Sequence, residues 1–205
     1  MTSYCAVADL RNQLQDSGNR FDATQLQTKI DVASRDVEDH CARRFDLDPV
    51  ASTRVYPVAS VRVYDEAGCA KLLVDDIGSA AGLVVESSAD GSTWTTVAAS
   101  GYELRPLNAP STDPNAYAWW WLAEAPAASS TWAWARRIRI TARWGWSAIP
   151  SKVAEATLLR ATGLWKRRDS PMGVGGGTDF GYYRIRQDPD VEALLARYVR
   201  PEGIA

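Results

Sequence analysis

The chain of 205 residues has one histidine, His40, and three cysteines, Cys5, Cys41 and Cys69. The cysteines are widely spaced, with no C-x-x-C pair and no Cys/His ligand pattern, which argues against structural zinc and against a disulfide framework. Cys5 and Cys41, in predicted helices, read instead as small buried apolar residues, and a reducing compartment fits. No stretch of 18 apolar residues offers a membrane span, and the N-terminus lacks the charge and apolar core of a signal peptide. Charge of neither sign dominates: 23 Lys and Arg stand against 25 Asp and Glu, a formal net charge of −2. No global basic field therefore recruits nucleic acid. With so little histidine, no Ser or Cys nucleophile can be paired with a base, and acidic pairs such as Asp75-Asp76 and Asp188/Asp190 sit where turns and caps need them. Enzymatic chemistry, a metal and a cofactor are all unexpected.

Tryptophan is abundant, with nine residues, most of them between Trp119 and Trp146. Large rigid aromatics in such number favour cores and protein interfaces. The stretch from Arg139 to Arg168 organises the rest. Ile138, Ile140, Ala142 and Trp144 alternate on one face of a strand that ends at the Gly145-Trp146 corner. Pro150 then opens a helix, with Ser151 sharing the capping, because the missing N–H and fixed φ of proline cost little there. Val153, Ala156, Thr157, Ala161 and Leu164 recur at three and four residues, and Leu158 and Leu159 widen the stripe. Lys166, Arg167 and Arg168 close the helix, where its dipole favours cations, and Asp169-Ser170-Pro171 stops it.

Earlier in the chain, Ser3 or Thr2 caps a first helix of about four turns, with Val7, Leu10 and Leu14 on one face. Ser17-Gly18-Asn19 breaks it. Asp22 caps a second helix, with Phe21 and Leu26 as a hydrophobic staple. This helix runs from about Ala23 to Arg44. Leu26, Ile30, Ala33, Val37 and Cys41 form its apolar face, and Arg35, Asp36, Glu38 and Asp39 lie opposite. From Ser52 the period changes to two. Short strands at 53–58, 61–64, 71–75, 83–87, 93–97, 102–105, 116–122 and 134–144 are separated by turns such as Ser79–Gly82 and Ala89-Asp90-Gly91. The expected fold class is therefore α+β: a small helical bundle of about four helices (residues 1–51 and 138–205) with an inserted antiparallel β-sandwich or barrel-like module (residues 52–137). A flexible glycine-rich loop covers 172–181. Asp188-Pro189-Asp190 starts a last helix carrying Val191, Leu194, Leu195 and Tyr198.

Three constellations have competing readings. Gly173–Gly177 is not a phosphate-binding loop, because it follows a helix and lacks the Gly-Lys-Ser/Thr ending. Trp119-Trp120-Trp121 is part of a thick core, a subunit contact or a sugar-stacking platform. Arg137, Arg139 and Arg143 share a strand face and are either solvated or turned toward acidic residues of a neighbouring subunit.

The order of the elements resembles the head–tail connector (adaptor) proteins of long-tailed bacteriophages and related prophage or gene-transfer particles. The resemblance is carried by Ile30-Asp31-Val32-Ala33-Ser34-Arg35-Asp36-Val37-Glu38-Asp39-His40-Cys41-Ala42-Arg43-Arg44-Phe45. Trp144-Gly145-Trp146 with Ile149-Pro150, Leu164 to Gly173, and Asp188-Pro189-Asp190-Val191 complete it. It covers roughly residues 4–50 and 138–200, about half the chain. It implies a structural virion protein of the neck, made in the host cytoplasm, whose copies form a ring, commonly twelvefold. The implied partners are other copies, the portal protein and a tail-side stopper or tail-terminator protein, with DNA only passing through the lumen and no membrane. On this reading Trp165, Arg167, Arg168, Gly173, Tyr182, Tyr183, Arg184, Ile185, Leu194 and Tyr198 face the portal or tail. Arg35, Asp39, Trp120, Arg137 and Arg139 lie between copies. The alternatives are a carbohydrate-binding module built on the tryptophan-rich insertion and a DNA-binding adaptor.

Overall fold

The structure, a computed structural model, describes residues 2–64, 70–112, 116–125, 132, 135–169, 174–175, 183–184 and 188–200. In chain order the elements are α1 (Val7–Gln13), α2 (Ala23–Cys41), β1 (Ser52–Pro57), the one-turn α3 (Val58–Val61), β2 (Arg62–Tyr64), β3 (Ala70–Ser88), β4 (Thr95–Thr96), β5 (Tyr102–Arg105), the one-turn α4 (Ala109–Thr112), β6 (Trp119–Glu124), β7 (Arg137–Trp144), α5 (Ser151–Lys166), β8 (Val174–Gly175), β9 (Tyr183–Arg184) and α6 (Pro189–Leu195). The fold class is α+β. Two compact units share the chain: a helical one built from residues up to Arg43 and from Ile149 to Arg200, and a sheet unit from Arg44 to Ala148. β7, grouped with the helical part in the sequence reading, is a ladder strand of the sheet unit, paired on both sides.

In the helical unit α2 and α5 pack against each other, and α6 packs on α5. The apolar spacing of α2 buries Leu26, Ile30, Ala33, Val37 and Cys41. In α5 the same logic buries Val153, Ala156, Thr157, Ala161, Thr162 and Trp165. The hydroxyls of Thr157 and Thr162 donate to carbonyls four residues back, at 2.8 Å each, so these polar groups are buried with their hydrogen bonds made. Asp22 caps α2 by accepting from the Gln25 N–H at 2.9 Å, and Asp188 caps α6 ahead of Pro189. Pro150 is the N-cap of α5, and its carbonyl accepts from Val153 and Ala154, both at 3.0 Å.

The first helix is shorter than its sequence suggested. It begins after Ala6, whose N–H donates to the Asp9 carboxylate at 3.0 Å. Ser3 caps nothing; its hydroxyl donates to Asp31 at 2.7 Å. Asp16 ties the link from α1 to α2. Its buried carboxylate accepts from the Arg20 N–H (2.8 Å), the Phe21 N–H (3.2 Å) and the Arg11 guanidinium (2.7 Å). Burial alone would raise this carboxyl; the two N–H groups and the two guanidiniums outweigh it and hold it below its ordinary value of 3.8.

The sheet unit contains one open sheet of seven antiparallel strands, ordered β1-β7-β3-β6-β5, with β2 and β4 also paired to β3. The expected barrel-like closure does not occur. Two predicted strands are in fact the halves of the 19-residue β3. Residues 79–82 form no reversal there: the register slips between Ile77 and Val84 while the strand continues, which is the behaviour of a bulge. The first half of β3 pairs with β2 and β6, and the second half with β7 and β4. The core beneath holds Leu72, Val74, Ile77, Val85, Leu122, Ile138, Ile140 and Trp144. The alternation read for β7 holds, with Ile138, Ile140, Ala142 and Trp144 buried.

At the end of β7 the chain turns at Gly145, with φ at +104°. A Cβ there would lie 1.8 Å from the Asp46 carbonyl oxygen. Gly78 is also confined, since its Cβ would meet the Gly145 carbonyl oxygen at 2.8 Å. Around this close approach the Gly145 N–H donates to the Asp76 carbonyl at 2.8 Å, and the Trp146 indole N–H donates to the Asp76 carboxylate at 3.1 Å.

Two substitutions test these contacts. Gly145→Ala should destabilise the protein by at least about 4 kcal/mol or prevent soluble accumulation, because backbone atoms cannot move aside; chemical denaturation with expression yield checks it. Asp16→Asn should lower the unfolding midpoint near neutral pH. A carboxyl held below its ordinary value stabilises the fold above that value and loses the contribution as pH falls through the folded value. The gap between wild type and variant should therefore close on acidification below 3.8, as thermal melts across pH would show.

Candidate interaction surfaces

The residues expected to face a portal or tail component fall into three groups. Trp165 and Tyr198 are buried, at 4% and 3% exposure, and belong to the helical core. Helical spacing explains both. Trp165 continues the inward stripe of α5 from Ala161, and Tyr198 continues that of α6 from Val191 and Leu195. Leu194 is half-buried, while Lys166, Arg167 and Arg168 are exposed. Tyr183 and Arg184 form β9, whose backbone pairs antiparallel with β8, Gly175 opposite Tyr183 and Val174 opposite Arg184. Gly173, Tyr182 and Ile185 lie outside the described residues, as does most of the expected glycine loop.

Trp165 acts from below the surface. Its ring lies 5.0 Å from that of Phe21. The Arg168 guanidinium sits over both rings, 4.2 Å from the Trp165 centroid and 5.7 Å from that of Phe21. Arg20 approaches the Phe21 ring at 5.8 Å. Cation–aromatic contacts of this kind hold a guanidinium in place while leaving its edge toward water.

The residues expected between copies are similarly divided. Asp39 and Arg137 are exposed, and Trp120 is half-buried. Arg35 is half-buried and serves its own unit: it pairs with Glu38, donates to the Thr2 carbonyl at 3.0 Å and lies over the Tyr4 ring. Arg139 grips Glu86 with two hydrogen bonds, at 2.7 and 2.6 Å, and stacks on Trp94 at 4.3 Å. The hydrogen bonds from Arg139 outweigh desolvation and hold the Glu86 carboxyl below its ordinary value. Arg143 donates to the Asp48 carbonyl at 2.9 Å. Arg139 and Arg143 of the arginine row on β7 thus meet partners within their own unit, while Arg137 is exposed. Trp119 is turned edge-on to Tyr117 at 5.0 Å, and the strand period puts only Trp119 and Trp121 of the trio on a common face.

Sequence reasoning missed an open cleft of about 490 Å³ beside α1, lined among others by Tyr4, Cys5, Asp9, Ser151, Glu155 and Leu158. No cation lines it. Cys5 sits in its wall, and burial, then the nearby Asp9 and Glu155, push the thiol up to about 11. Burial also raises Cys41 to about 11, so both thiols are protonated at neutral pH. The signal for this cleft is tertiary: nothing in the local pattern around Asp9 or Glu155 announces that α1 and α5 bring them to one opening. Among the described residues no group of three His, Cys, Asp or Glu side chains could hold a metal ion, and no helix is long and apolar enough to cross a membrane.

No protein-family model matches this chain, and no curated protein sequence matches it. Solved structures do. A chain in the neck of an empty GTA particle, computed with C6 symmetry, is 20% identical, with 97% of this chain and 90% of that one covered and a TM-score of 0.51. A chain in the neck of the native GTA particle, computed with C12 symmetry, is 17% identical over the same shares with a TM-score of 0.48. One in the virion of the native gene transfer agent (GTA) particle is 18% identical, also with a TM-score of 0.48. At these identities the likeness is one of fold, and it spans both compact units.

The division between core and surface gives a direct test. Trp165→Ala should cost about 3–5 kcal/mol of stability, while Arg167→Ala should change it by less than about 0.5 kcal/mol. Urea unfolding of the two variants separates these outcomes.

Proposed function

We propose that this protein is a structural subunit of the neck of a phage-like particle. It is a head-to-tail adaptor whose copies close a twelvefold ring, seated between the portal and the next neck or tail component, with DNA passing through the lumen. The observation that carries the reading is the fold likeness to a chain of a GTA particle neck across 97% of this sequence. It agrees with the connector-like order of motifs around Ile30–Phe45, Trp144–Pro150 and Leu164–Gly173. The protein works by fitting against copies of itself and against neighbours. A net charge of −2 also suits a channel that must let DNA slide, since phosphate neutralisation dominates protein–DNA affinity.

The burial of the last helix supports a narrower choice of portal-facing segment. Residues 189–200 are bound to their own unit: Val191, Leu195 and Tyr198 are buried, and the Arg200 N–H donates to the Cys41 carbonyl at 2.9 Å. Residues 172–187, including Gly173, Tyr182, Tyr183, Arg184 and Ile185, are therefore the proposed portal-facing segment, together with the half-buried Leu194. Between copies, Arg35, Asp39, Trp120, Arg137 and Arg139 remain the candidate side chains, with Asp39 and Arg137 the most accessible.

Native mass measurement tests the proposal. The purified protein, alone or with its portal, should give a closed oligomer of identical copies. Replacing residues 172–187 with a Gly/Ser linker of equal length should leave that oligomer intact and abolish portal binding. A chain that stays monomeric in the presence of portal would contradict the ring, and unchanged portal binding by the linker variant would contradict the assigned segment.

A further inference from the structure

The helical unit carries two surfaces of opposite charge that cannot meet within one chain. The first is the end of α5. Lys166 and Arg167 are exposed and make no ion pair among the described residues. Arg168 is held over Trp165 and Phe21, and Arg20 is added from the link before α2, its side chain 72% exposed and at 3.6 Å from Asp16. A helix dipole accounts for cations in the last turn of α5, but it does not account for Arg20, which belongs to another segment. The second surface is the cleft containing Asp9 and Glu155. Neither carboxylate has an ion pair among the described residues; Asp9 accepts only the N–H of Ala6. Lys152, one turn before Glu155, lies outside the cleft wall. Glu155 and Arg167 are on the same helix and its terminal turn, about 18 Å apart along the axis at 1.5 Å per residue. These two charges therefore cannot pair with each other within one copy.

We propose that the cationic end of α5 in one copy docks into the Asp9/Glu155 cleft of the next. This rests on the ring reading and supplies its contact. Two different patches on each copy make a heterologous interface, the type that generates a ring when its rotation closes. Opposite charge sets the register and speeds encounter, and salt weakens both. The aromatic support beneath Arg168 lowers the ordering cost of presenting a cation to a partner. Arg167 and Arg168, expected to face the portal, are assigned instead to the contact between copies.

The test uses the full chain in three forms. Arg167→Glu and Glu155→Lys, each alone, should weaken self-association at least about tenfold, as expected for losing and opposing a close charge pair. The two changes combined in one chain should restore it, because each new lysine faces a new glutamate across the interface. Separately, a chain carrying Glu155→Cys and Arg167→Cys should oxidise to a ladder of covalent oligomers. The same two positions are too far apart on one helix to close a disulfide within a copy. Circular dichroism and melts confirm folding of each variant. Single variants that assemble like wild type, a combined variant that is not rescued, or the absence of a ladder from assembled protein would overturn the contact while leaving the ring itself standing. A wild-type chain that never self-associates would remove both.

Discussion

Gly145 leaves no room for a side chain. The carbonyl oxygen of Asp46 occupies the place where a Cβ would be, and Gly78 presses on the same corner from β3. The sheet unit depends on this approach because it joins three separate segments: the link after α2, the middle of β3 and the end of β7. Where the backbones touch, Asp76 takes both the Gly145 N–H and the Trp146 indole, and Phe45 rests against Trp146 at 5.4 Å. Buried polar groups are tolerable there only because each finds a partner. The bulge in β3 lies in the same neighbourhood and lets one strand serve two sets of partners, β2 and β6 before it, β7 and β4 after it.

The helical unit solves a different problem. Its core is modest, built from Leu10, Leu26, Ile30, Ala33, Ala161 and Trp165, and polar clamps define it as much as apolar ones. Asp16 gathers two backbone N–H groups and an arginine at the link from α1 to α2. Arg160 reaches Asp36 across α5 and α2 at 3.0 Å. Such partly exposed ion pairs contribute little to stability but fix which faces remain outside. Those faces are the cationic end of α5 and the carboxylate-lined cleft.

Local rules were legible where the chemistry is local. The three- and four-residue spacing of α2 and α5, the Asp22 and Asp188 caps, Pro150 at the helix entrance and the alternation of β7 were all readable, because each depends on neighbours within a turn or a pleat. The errors are tertiary. Ser79–Gly82 has turn composition, yet partners on both sides of β3 carry the strand through as a bulge. Ser3 resembles a cap, but Asp31 claims its hydroxyl. Trp165 is of a type that serves cores and interfaces alike and lies near a basic cluster, and only its phase on α5, together with Phe21, shows that it is core. Arg139 looked available for a neighbouring copy, and Glu86, 53 residues away, takes it instead. The cleft between Asp9 and Glu155 has no sequence signature at all.

Electron microscopy of phage-like particles assembled with this chain tests the proposed neck role. A reconstruction should show identical copies of the chain closed into a ring around an open channel at the neck. Single copies placed elsewhere on the particle, or a chain that contacts no copy of itself, would contradict it.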